Sequence, residues 1–134
     1  MQKINDFRAL VKPLFDDFGY NLIPANDLEL ETFKATLIKY NIPVKVISEL
    51  GNFYRVSNGI PCLDIDFHDC LSECIFDFWE EEKSLWLGQR DSDTLRWIDN
   101  KFCIGTSSEI SYSKDYEFQS LYEMLDKVIN EFKE

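Results

Sequence analysis

The sequence predicts an α+β domain: N-terminal helices, a central, mostly antiparallel sheet, and a C-terminal helix packed on one face of it. Three observations lead there. Apolar residues recur at steps of three and four up to Gly59, at steps of two just beyond it, and at three and four again from Phe118. The links between the predicted strands are short, which favours an antiparallel meander. Helices and strands are segregated along the chain, which implies an α+β domain with helices packed on one face of the sheet. At 134 residues, 45% apolar and 15% aromatic, the chain has the material for one packed core over residues 1–134.

The first helix is drawn by Ile4, Phe7, Leu10, Val11, Leu14, Phe15 and Phe18. Asn5 or Asp6 stands at its start and Gly19 at its end. Pro13 removes a helical hydrogen bond, so a kink or a division into two short helices is expected there. A second helix runs from Asn26 to Tyr40 and is broken by Asn41-Ile42-Pro43. A third runs from Pro43 to Val56, with Asn58-Gly59 as its left-handed stop. Leu63, Ile65 and Phe67 then alternate with Asp64, Asp66 and His68, the pattern of a half-buried strand. Cys74–Trp79 and Ser84–Gly88 read as two further strands around a Glu80-Glu81-Glu82-Lys83 turn. Thr94–Ile98 and Phe102–Gly105 form a hairpin, Ile110–Tyr112 a short strand, and Phe118–Phe132 the closing helix.

Charge is distributed unevenly. Between Gly59 and Asp93 stand ten acidic residues and two basic ones, which supply −8 of the formal −11. The apolar residues threaded through the segment argue that it is folded. The net charge of −11 and the lack of a Lys and Arg cluster argue against binding nucleic acid through its phosphates. No window resembles a secretion signal or a membrane span, so a cytoplasmic location without membrane association is expected. In that compartment the four cysteines read as free thiols or metal ligands rather than disulfides.

Candidates for chemistry are sparse. On a strand Asp64, Asp66, His68 and Cys70 share one face, a donor set that could hold zinc or serve an enzyme. The paired Cys-x-x-Cys spacing of zinc sites is absent, and the ordinary reading is a wet strand face with Cys62, Cys70 and Cys74 as small buried hydrophobes or ligands. His68 is the only histidine, so any Cys–His nucleophilic set would have to use it. No Gly-rich phosphate loop occurs. Trp79, next to three glutamates, reads as an anchor for Arg or Lys of a partner if exposed. The expected partner surface is Asp64, Asp66, His68, Trp79, Glu80, Glu81, Glu82, Asp91 and Asp93, with no catalytic residue, metal or cofactor.

The element order, together with Val46-Ile47-Ser48-Glu49-Leu50-Gly51-Asn52-Phe53-Tyr54-Arg55-Val56-Ser57-Asn58-Gly59-Ile60, resembles the SUKH superfamily. Phe53, Tyr54, Asn58 and Gly59 carry the match, and the Phe118–Phe132 segment is similar to the family's closing helix. After Asn-Gly the chain departs from the commoner family pattern, with Ile60-Pro61-Cys62 and with Leu85–Asp91 in place of a Gly-Asp-containing strand. The resemblance implies a protein-binding domain without catalysis: an immunity protein that neutralises a cognate basic, nuclease-type toxin, or alternatively a regulatory scaffold.

Overall fold

The structure, a computed structural model, describes residues 6–62, 65–90, 93–106 and 116–131. Three helices open the chain: α1 (Phe7–Phe18), α2 (Asp27–Lys39) and α3 (Val44–Tyr54). The Asp6 carboxylate caps α1 by accepting from the Ala9 amide at 3.0 Å, and Gly19, at φ 76°, ends it. Pro13 does not divide α1: its ring lies on the exposed side, while Phe7, Val11, Leu14 and Phe15 are buried on either side of it. A capping box starts α2, with the Asn26 side chain accepting from the Glu29 amide and Glu29 accepting in return from the Asn26 amide.

The strands follow as β1 (Ile60–Pro61), β2 (Ile65–Phe67), β3 (Leu85–Arg90), β4 (Asp93–Ile98), β5 (Lys101–Thr106) and β6 (Glu117–Phe118). They lie in chain order, each antiparallel to its neighbour, so the expected meander is present. The closing helix is α5 (Leu121–Glu131), whose Leu121, Met124, Leu125, Val128 and Ile129 join the core. At the β4–β5 hairpin Asp99 and Asn100 both take positive φ, 51° and 65°, the conformation of a two-residue turn that continues the twist of the strands.

One face of the sheet supplies Ile65, Phe67, Leu85, Leu95, Trp97 and Phe102 to the core shared with the helices. The other face carries Asp66, Gln89 and Thr94 in one row and Trp86, Arg96 and Cys103 in the next. A bulge between Trp86 and Gly88 shifts the β3–β4 register. β3 also approaches β2 closely: a Cβ on Gly88 would lie 2.1 Å from the Asp66 carbonyl oxygen.

Two elements differ from the sequence expectation. Residues Cys74–Trp79 do not form a strand. Glu73–Phe76 is a short 3-10 helix begun by Ser72, and Trp79–Glu82 is a one-turn helix, α4, ended by Lys83 at φ 54°. Ile75 is fully buried, and Phe76 stacks on Tyr40 of the α2 C-terminus with ring centroids 4.8 Å apart. The apolar residues therefore point in different directions around a coiled backbone, and strand alternation has no sheet to serve here. Phe118 pairs with Phe102 in the sheet instead of starting the helix, which begins at Leu121. The Ile110–Tyr112 segment lies outside the described residues.

Candidate functional site

The Asn58-Gly59 pair does not end α3, which stops at Tyr54 with Arg55 still in right-handed conformation. It instead joins three segments at the β1–β2 edge. The Asn58 amide donates to the Ile23 carbonyl at 2.8 Å, and the Asn58 side-chain oxygen accepts from the Cys70 amide at 2.9 Å. Gly59 sits at φ 101°, and a Cβ there would lie 2.5 Å from the Phe67 carbonyl oxygen. The Tyr54 hydroxyl, completely buried, donates to the His68 carbonyl at 2.7 Å. The chain just after β2 is thus anchored to α3 and to the loop that follows it.

Between the α1–α2 connection and this edge lies an open cleft of about 280 Å³. Phe15, Ile23, Ile60 and Pro61 give it apolar walls; Asn21, Asn58, Asp66, His68 and Asp69 give it polar ones. Asp66 and Asp69 are exposed, no Lys or Arg lines the cleft, and among the described residues neither carboxylate has an ion-pair partner. Asp69 accepts from the Leu71 amide at 3.0 Å. Ile23 is 71% exposed, a large apolar side chain at the rim of an acidic cleft.

His68 divides this cleft from an aromatic cluster. Its ring meets Trp86 edge-on at 4.7 Å, and Trp86 meets Phe78 at 5.5 Å. Its Nε2 is sealed from solvent and, among the described residues, has no hydrogen-bond partner. Burial lowers the imidazole pKa below its ordinary value, opposed by the negative charges of Asp66, Asp69 and Asp77. Comparisons with family models, curated proteins and solved structures find no match. The site therefore rests on its own geometry.

The structure separates Cys70 from the Asp66–His68 face. β2 ends at Phe67, the chain turns, and the Cys70 thiol is buried beside the Glu29 carbonyl, 3.9 Å away. Burial pushes that thiol up to about 11, so it is protonated near neutrality and unsuited to nucleophilic attack. Among the described residues no three His, Cys, Asp or Glu side chains are placed to hold a metal ion. Nor is any described helix long and apolar enough to cross a membrane.

The remaining expected surface residues are scattered in role. Glu80 and Glu81 are exposed on α4. Glu82 turns inward, forms an ion pair with the buried Arg96, and accepts from the Ser84 hydroxyl at 2.8 Å. Trp79 is half-buried against Tyr40, with the Lys83 ammonium of the same chain 5.7 Å from its ring centre. Asp93 pairs with Arg90 at 3.3 Å. Asp64 and Asp91 lie outside the described residues. Sequence reasoning missed Asn21 and Ile23 as cleft walls, because nothing in their local pattern announces a distant edge strand. It also missed Arg96, whose signal was a cation flanked by Leu95 and Trp97 within an apolar strand.

Proposed function

We propose that this chain is a non-catalytic protein-binding domain of the SUKH kind, acting in the cytoplasm as an immunity protein that neutralises a cognate basic, nuclease-type toxin. One observation carries the reading: Asp66 and Asp69 stand exposed in an apolar-walled cleft with no Lys or Arg partner among the described residues. Carboxylates without cationic neighbours project negative potential outward, which accelerates association with a basic protein and selects against acidic ones. A nuclease presents such a basic surface because it holds phosphates. Exposed Asp77, Glu80 and Glu81 extend the same potential, and Ile23 offers an apolar contact beside it. The order of helices, meander and closing helix agrees with what the SUKH resemblance implies, and the integrating role of Asn58-Gly59 gives the resemblance's motif a physical reason.

The test is co-expression with the product of the neighbouring reading frame. The expected result is a stable complex and relief of that product's toxicity, with both weakened at least tenfold by Asp66→Asn together with Asp69→Asn. No complex and no protection would overturn the reading. A complex indifferent to those substitutions would move the interface away from the cleft.

A further inference from the structure

His68 is the one titratable side chain set between the cleft and the aromatic cluster, and the proposed partner-binding role makes no use of its chemistry. Its backbone is held on both sides: the His68 amide donates to the Leu87 carbonyl at 2.8 Å, and its carbonyl accepts from Tyr54. Among the described residues its side chain is held by its edge-on contact with Trp86. Trp86 is itself fixed, its indole N–H donating to the Gly88 carbonyl at 2.8 Å across the bulge. A neutral imidazole can leave one nitrogen as an unpartnered acceptor, as Nε2 is here. An imidazolium must present an N–H from both nitrogens, and an enclosed donor without an acceptor is costly.

Asp66 and Asp69 line the same cleft as His68, and negative charge there favours the imidazolium. Asp66 of β2, Asp69 of the following turn and Asp77 before α4 all act on His68. Tyr54 of α3 reaches only its carbonyl, and burial drives the Tyr54 pKa far above its ordinary value, so it stays neutral. β3 contributes the Trp86 ring, backed by Phe78.

We propose that His68 is a proton-operated latch on this edge of the sheet: on gaining a proton its ring leaves Trp86 and turns to the surrounding carboxylates. Two consequences follow together. The aromatic cluster loses its edge contact, and the cleft loses negative charge because a cation now sits among its aspartates. Since the folded state disfavours the charged ring, the stability this group contributes is complete above the ordinary 6.5 and is lost as pH falls from there through the lowered value. The latch stands whether or not a cationic partner uses the cleft.

The test is a pH titration followed by NMR on the whole chain, reading the His68 Cε1–H and the three tryptophan indole N–H signals, with Trp86→Phe assigning the relevant one. The expected result is a His68 midpoint below 6.5, with the Trp86 indole moving in step and the Trp97 indole still. In His68→Gln the Trp86 movement in that window should vanish. A Trp86 signal that stays still while His68 titrates, or that moves equally in His68→Gln, overturns the proposal. Should His68→Gln fail to fold, Asp66→Asn, Asp69→Asn and Asp77→Asn serve instead. Each removes a charge that supports the imidazolium and should lower the His68 midpoint further; an unchanged midpoint in all three overturns the latch.

Discussion

Asp66 and Asp69 at the β1–β2 edge face solvent with no Lys or Arg partner among the described residues, whereas Glu82, from the same acid-rich segment, is held beneath the surface against Arg96. The Arg96 side chain is 4% exposed and that of Glu82 10%, and the guanidinium also lies over the Phe78 ring, 4.2 Å from its centre. In sequence these carboxylates look alike. In the fold one is a structural charge that fastens α4 to the outer face of the sheet, and the others are a potential presented to whatever approaches. A charge count over a segment therefore overstates the surface a partner meets.

The sharpest way to break this comparison is to remove Glu82. Glu82→Ala leaves Arg96 buried without its counter-charge, and the expected loss of stability is about 3–5 kcal/mol, read from urea denaturation midpoints. Glu80→Ala or Glu81→Ala, one or two residues away, should change stability by no more than about 0.5 kcal/mol. The double change Glu82→Leu with Arg96→Met should recover most of the loss, since a well-packed apolar pair avoids the desolvation of both charges. If Glu82→Ala and Glu81→Ala were equivalent, the division into structural and presented acids would fall.

Gly88 joins the two regions, because it lets β3 meet β2 without a side chain between them. Gly88→Ala places a methyl group 2.1 Å from the Asp66 carbonyl oxygen, and backbone cannot move aside as a flexible side chain does. A loss of about 3 kcal/mol is expected, the upper end of ordinary overpacking. Hydrogen exchange should quicken at the His68 amide, which pairs with Leu87 at this junction. Unaltered exchange there would show that β2 is held by the helices alone.

What the sequence made legible follows from where each signal originates. The helical stripes of α1, α3 and α5 and the strand alternation around Ile65 and Phe67 come from burial on one face, and burial leaves its mark residue by residue. Cys74–Trp79 misled because Ile75, Phe76 and Trp79 are apolar for two different reasons: one lies in the core and two pack on Tyr40. Pro13 misled in the other direction, since tertiary burial of Phe7, Val11, Leu14 and Phe15 outweighs the missing hydrogen bond. The cleft was half legible. Asp66 and His68 were placed on the open face of a strand, but Cys70 was not separable from them without knowing that β2 stops at Phe67. Asn21 and Ile23 line the cleft where the Asn58 amide ties Ile23 to the edge, a contact across 35 residues of chain.

That tie gives the mildest and most selective perturbation. Asn58→Ala removes the acceptor of the Cys70 amide while leaving the backbone bond from Asn58 to Ile23 in place. The amide is partly buried, so an expected cost of about 1–2 kcal/mol reflects a donor left unsatisfied. The effect should be local. The turn carrying Asp69 and Cys70 loosens, the cleft loses the fixed position of one of its two aspartates, and the Glu82–Arg96 region is unaffected. Association with a basic partner should then weaken through faster dissociation, with the encounter rate preserved because the charges remain. Equal loss in both rates would mean that Asn58 contacts the partner itself, and the cleft would then be a hydrogen-bonding site as much as an electrostatic one.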